Sequence, residues 1–152
     1  MSVNPAVSYK QTAVQGATPI GQIIALYDTI LRDLGRALEA VTARAVENRI
    51  DALNHALSVI GYLESVLDFE RGGEAAPRFQ VFYRVTRALI VQANVQATPE
   101  SIEKLIDLYG QVRQSWYRVE RGSMLEQKAT ADTQDVRPAF DNAEITQSHW
   151  SV

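Results

Sequence analysis

The sequence predicts an all-α protein, an antiparallel four-helix bundle, and three observations carry that prediction. Apolar residues recur in steps of three and four over long stretches. Two Thr-Pro pairs, Thr18-Pro19 and Thr98-Pro99, each set a capping hydroxyl ahead of a proline at the first helical position. The joints between the periodic stretches are short, so successive helices should reverse direction. With 152 residues, 46% hydrophobic and 22% charged, the chain is one domain's worth of protein with enough material for a core.

The first helix is expected over 19–43, where Ile20, Ile23, Ile24, Tyr27, Ile30, Leu31, Leu34, Leu38 and Val41 form one stripe. Asp28, Arg32, Arg36 and Glu39 lie on its other side, so it needs a single packing surface. A second helix is expected over 48–69, with Asn48 as its cap and Arg71-Gly72-Gly73 as the break after it. Pro77 suits the first turn of a third helix over 75–97. The fourth, over 99–120, repeats the one-sided pattern with Ile102, Leu105, Ile106, Tyr109, Val112, Trp116 and Val119. Gly21, Gly35, Gly61 and Gly110 fall inside helices. There they either permit close helix approach or weaken the helix by about 1 kcal/mol each relative to alanine.

A bundle domain over 1–121 follows, with a short N-terminal segment packed on it. Residues 122–152 are rich in Asp, Thr, Gln, Ala and Ser, and the expectation for them is a flexible C-terminal tail.

The middle helices differ from the outer two. In the third, Phe79, Phe82, Tyr83, Thr86, Leu89, Ile90 and Ala93 share one side, at about 100° per residue. Val81, Val85, Ala88 and Val95 form a second stripe opposite, with Val91 beside it. In the second, Ile50, Leu53, Leu57 and Ile60 make one face, while Val59, Leu63 and Val66 are expected to point away from it. A helix that is apolar all round is either surrounded or binds something. Three covers would serve: the protein's own N-terminal segment, a second copy, or a foreign helix. Periodicity alone favours the first two over the third.

Several function classes have no support in these residues. The net charge of −3 makes no electrostatic case for nucleic acid or anionic membrane. There is no cysteine, and hence no disulfide or thiolate metal site. The N-terminus has no basic start followed by an apolar run, and no apolar stretch approaches the ~20 residues that cross a bilayer. Neither His55 nor His149 has a Glu or His at metal-ligand spacing, and His55 reads as a lone surface histidine. Glu39 with Glu47, or Asp68 with Glu70, read as solvated charges rather than a catalytic pair. Arg71-Gly72-Gly73 lacks the Gly-Lys-Ser/Thr of a phosphate loop, and no Gly-x-Ser-x-Gly elbow occurs. The expectation is a protein with no enzymatic activity, no cofactor and no metal.

Four segments in order carry a family resemblance. Thr18-Pro19 is followed by Ile23, Ile24 and Leu26-Tyr27-Asp28. Leu67-Asp68 is followed by Arg71-Gly72-Gly73-Glu74-Ala75-Ala76. Leu89-Ile90-Val91-Gln92-Ala93-Asn94 closes the third helix, and Leu108, Val112, Arg113 and Trp116 close the fourth. Together, over roughly 5–120, they resemble the flagellar secretion chaperone family FliS, and Tyr9 also has a counterpart there. Thr29 stands where that family usually has glycine, Gly21-Gln22 replaces an acidic-Leu pair, and Val85 replaces an aromatic.

The resemblance implies a cytoplasmic export chaperone. Its partner would be the disordered C-terminal region of flagellin, held from premature polymerisation and delivered to the secretion apparatus. That apparatus, a regulatory protein and a second copy of the chain are the further partners it brings into view. On this reading Val59, Leu63 and Val66 line one wall of the flagellin groove. Val81, Val85, Ala88 and Val95 line the other, and Tyr9 and Val14 partly cover it in the free protein. Tyr27, Leu89 and Trp116 are expected in the core, with Asn94 there or as a helix-end hydrogen bonder. The alternative is a non-catalytic homodimeric helical-bundle adaptor, with the second stripe as its dimer seam.

Overall fold

The computed structural model describes residues 18–134, with side chains to residue 130. Tyr9, Val14, His149 and the rest of the expected N-terminal segment and C-terminal tail lie outside the described residues. Four α-helices account for the described chain: α1 (Pro19–Ala43), α2 (Val46–Ser65), α3 (Ala75–Gln96) and α4 (Pro99–Gln134). There is no strand among the described residues.

The two Thr-Pro pairs act as the sequence implies. Thr18 Oγ1 accepts from the Gly21 amide at 3.0 Å, and Thr98 Oγ1 from the Ser101 amide at 3.4 Å. Each satisfies one of the amides that a helix N-terminus leaves without an intrahelical partner. The C-termini are less conventional. α1 and α3 end at Arg44 and Ala97, both left-handed at φ 57° and 52°. This is a conformation usually left to glycine or asparagine. The αL turn at Arg44 lets α2 begin at Val46, two residues before the expected cap Asn48, and Ala45 caps it with no side-chain bond.

α2 also stops earlier than its apolar pattern does, at Ser65. The Asp68 carboxylate accepts from the amides of Glu70 and Arg71, both at 3.0 Å. Such local side-chain bonds compete with helix. Gly73, at φ 52°, completes the turn into α3. At the other end of the chain, α4 runs to Gln134 rather than stopping near 120. The tail expected from 122 onward is therefore helical through its first 13 residues. Polar composition misled here, because Met124, Leu125, Glu126, Gln127, Lys128 and Ala129 are good helix formers.

Side-chain pairs fix the topology. Asp33 meets His55 between α1 and α2, Arg49 meets Asn94 between α2 and α3, and Phe79 stacks on Trp116 between α3 and α4. Asp28 meets Arg113, and Thr18 meets Glu120, between α4 and α1. Late α1 residues Glu39 and Ala43 lie beside early α2 residues Asn48 and Asp51, and Arg49 early in α2 meets Asn94 late in α3. The pairs Thr18–Glu120 and Asp28–Arg113 run in opposite order along α1 and α4, so successive helices are antiparallel. The helices pack in a ring, α1–α2–α3–α4, and α1 approaches α3 only across the diagonal.

The core fills that ring with Tyr27, Ile30, Leu34, Leu53, Ile60, Tyr83, Ile90, Ile102, Leu105, Tyr109 and Trp116. Three tyrosines sit at its centre, and their hydroxyls find partners, as buried polar groups must. Tyr27 and Tyr83 share a hydrogen bond of 2.9 Å, and Tyr109 shares one of 2.6 Å with Thr86. Burial pushes all three phenols well above their ordinary range. His55 is not the lone histidine the sequence implied: its Nδ1 lies 2.5 Å from buried Asp33, which also pairs with Arg36 at 3.2 Å.

Candidate partner-binding groove

The outer surface of α2 and α3 follows from which residues face their neighbours. On α2, His55 marks the side toward α1 and Glu64 the side toward α3, where it pairs with Arg87 and, at 3.6 Å, with Arg84. Val46 lies about five turns before Glu64 on the same line, with Leu57 and Ile50 within about 40° of it. On α3, Val91 lies about 40° from Arg87, Val95 about 80° and Ala88 about 100°. The Arg49–Asn94 bond of 3.1 Å joins the start of α2 to the end of α3, so Val46 and Ile50 lie toward the Val95 end of α3 and Leu57 farther along toward Glu64 and Arg87.

The result is an exposed apolar strip along two adjacent antiparallel helices, a candidate groove. Val46 and Ile50 are its exposed α2 wall, with half-buried Leu57 below, and Val91, Val95 and Ala88 are its α3 wall. Val81 and Val85 stand beside it as the outward crest of α3, both exposed. Val95, at 82% exposure, is the most open large hydrophobic residue of the described chain. Isolated exposed valines are ordinary, but this many in one strip of two adjacent helices is not.

This placement corrects one wall of the groove drawn from sequence. Val59 and Leu63 are 8% and 2% exposed and belong to the core. A helix in a ring of four touches two neighbours, so its buried arc is wider than a single stripe. On α2 that arc takes in Val59 and Leu63, on the flank that turns toward α1. Val66 is exposed as expected, but on the α1 side with Tyr62, not on the α3 side. Val81, Val85, Ala88 and Val95 are all exposed and on one helix face. Val46, Ile50 and Val91 were not among the expected wall residues. By spacing Ile50 shares a face with Leu53, Leu57 and Ile60, and only the position of α3 puts it at the rim.

Nothing in the arrangement resembles a reaction centre. Among the described residues no three His, Cys, Asp or Glu side chains are grouped to hold a metal ion. A cavity of about 440 Å³ lies at the α1–α2 corner. Arg36, Glu39, Asn48 and Asp51 line it beside three alanines. No described helix is long and apolar enough to cross a membrane.

An exposed apolar groove on a small helical bundle is the equipment of a protein that holds another chain. Comparison with known families agrees. The model of the family described as "Flagellar protein FliS" matches residues 2–123. The chain belongs to the FliS family. It is therefore a flagellar secretion chaperone by family and not an enzyme. It is 26% identical over 120 residues to the flagellar secretion chaperone FliS of Campylobacter jejuni subsp. jejuni, covering 79% of this chain and 94% of that protein. It is 28% identical over 110 residues to FliS of Salmonella typhimurium, covering 72% and 82%. With FliSB of Pseudomonas aeruginosa the identity is 27% over 112 residues, covering 71% and 89%. The FliS match ends at residue 123, whereas α4 continues to Gln134.

Proposed function

We propose that this FliS-family protein is a cytoplasmic export chaperone that binds the disordered C-terminal region of flagellin. By holding that region it prevents premature polymerisation, and it then delivers the subunit to the flagellar secretion apparatus. The single observation that carries the proposal is the exposed apolar strip on α2 and α3, in a chain whose family consists of secretion chaperones. The strip offers a helix-in-groove seat, with Val46, Ile50, Ala88, Val91 and Val95 in the groove and Val81 and Val85 on the crest. Val66, on the far side of α2, would meet the segment only if it wraps past Tyr62.

β-Branched valines suit this work. They have little rotamer freedom to lose when a partner docks. The flagellin segment, by contrast, orders as it binds and so gives up part of the affinity that its buried area would supply.

The test is a titration of the purified full chain with a synthetic peptide of the C-terminal segment of flagellin from the same organism. Val85→Asp and Val91→Asp should each weaken binding at least about tenfold, since a buried unpaired carboxylate costs more than 1.4 kcal/mol, while the fold is kept. Wild-type binding by both folded variants would refute the groove. The same samples, sized with and without peptide, discriminate the homodimeric adaptor: a stable dimer indifferent to the peptide would overturn the chaperone proposal. Leu63→Asp is unsuitable for this purpose, because it would place a carboxylate in the core.

A further inference from the structure

α3 carries three arginines, Arg78, Arg84 and Arg87, and no acidic residue, in a chain whose net charge is −3. Their positions relative to the valine crest are regular. Arg84 lies three residues after Val81 and Arg78 three residues before it, hence about 60° to either side. The crest is therefore bracketed by a guanidinium on each flank, and both side chains are largely exposed.

Their intramolecular partners do not balance them. Arg84 and Arg87 share the one carboxylate of Glu64, which leaves a positive charge in excess at the groove edge. Arg78 has only Glu74, at 3.8 Å and fully in solvent, and an exposed pair of that kind holds weakly. The remaining nearby acids, Asp68 and Glu70, lie in the loop before α3, off the end of the crest, and Asp68 is occupied by the Glu70 and Arg71 amides. Toward the other end of the groove the walls are Val46, Ile50, Val91 and Val95, and Arg49 there is committed to Asn94. The strip is thus cationic at one end, while at the other its walls are apolar and the exposed charge beside Val46 is the Glu47 carboxylate, which would repel an acidic segment.

We infer that the segment docked on α3 is an amphipathic helix with acidic side chains at one end, seated against Arg78 and Arg84, and an uncharged apolar end over Val91 and Val95. This deepens the flagellin proposal and rests on it. The charges would set the register of the segment along the strip and speed its capture, while the apolar contacts supply most of the affinity. Arg84 would exchange its share of Glu64 for a carboxylate of the partner, so Glu64 remains paired through Arg87.

The experiment is calorimetric titration of the full chain with the flagellin C-terminal peptide and with a peptide whose Asp and Glu are replaced by Asn and Gln. Each is measured at about 0.05 M and about 0.5 M salt, where screening differs strongly. The unmodified peptide should weaken about three- to tenfold on going to high salt, and the neutralised peptide should bind at about that weakened level at both salt concentrations. Arg84→Glu and Arg78→Glu should each lower affinity about fivefold at low salt. A peptide with the facing acid changed to Lys should regain that loss with the variants alone. Arg84→Ala, which creates no repulsion with Glu64, guards against a folding effect, and circular dichroism confirms the helical content of all three. Binding that ignores salt, tolerates both charge reversals and accepts the neutralised peptide equally would overturn the inference and leave the groove standing. No binding of either peptide to the wild-type chain would overturn the flagellin proposal and this inference with it.

Discussion

Tyr27, Tyr83, Tyr109 and Thr86 bring hydroxyls into the centre of a helical core, and each tyrosine hydroxyl there is answered by another of the four. Tyr27→Phe should cost about 1–3 kcal/mol, chiefly by stranding the Tyr83 hydroxyl. The double change Tyr27→Phe with Tyr83→Phe should cost clearly less than the sum of the two single changes. A double-mutant cycle in urea measures that difference, and strict additivity would show the bond to be irrelevant. The same burial gives a pH dependence with a definite sign. The folded state holds three phenolic protons that the unfolded chain releases above about pH 10. Stability is therefore intact below that pH and is lost as pH rises beyond it, by about 1.4 kcal/mol per unit for each tyrosine. Denaturant midpoints taken between about pH 9 and 11 should fall only in the upper part of that range. The sequence placed these tyrosines on the core stripes, yet it gave no sign of which hydroxyl would meet which.

At the scale of the helix, two glycine substitutions should act in opposite directions. Gly110 lies inside α4 with nothing within 4 Å of the place a Cβ would occupy, so close approach is not its role. Gly110→Ala should stabilise by about 0.5–1 kcal/mol. Gly73 also has open space around it but sits at φ 52°, where a Cβ is strained whatever the room. Gly73→Ala should destabilise by about 1 kcal/mol, and thermal melting of the pair checks both signs. The helix starts at Thr18 and Thr98 were legible because a hydroxyl followed by proline is a local signal. The ends at Arg44 and Ala97 were not, because neither residue prefers the left-handed conformation and the need to turn back into the next helix imposes it. The early stop of α2 at Ser65 came from Asp68, a residue beyond the helix.

Across the whole molecule, α1 is the member that packs closest, against α2 and α4, whereas α3 is held largely by rings: Phe79 on Trp116 at 5.2 Å and Phe82 against Tyr109 at 5.1 Å. Large side chains on its inner face leave its outer face high and open, which suits a helix that receives a partner. Trp116→Ala should therefore do double harm, destabilising by about 3–5 kcal/mol and loosening the crest, read as lower flagellin-peptide affinity in whatever folded protein remains. The far part of α4 is a separate matter. Its residues beyond Ser123 are exposed through residue 130, so ending the chain after residue 123 should leave the melting temperature within about 2 °C. A larger drop would mean that the extension packs on something.

The sequence by itself determined the helical class, the number of helices, the capped starts of α1 and α4, and the suspicion that α2 and α3 carry more apolar surface than a solvent-facing helix needs. These are properties of spacing and of single residues, and a helix records them locally. Only the tertiary structure decided which part of that surplus is buried. Val59 and Leu63 went inward because α2 is flanked by two neighbours and not one, and Ile50 and Val46 came to the rim because they lie at the outer edge of the α2–α3 contact. Whether a stripe is core or groove depends on where another helix lies, and no stretch of sequence contains its neighbour's position.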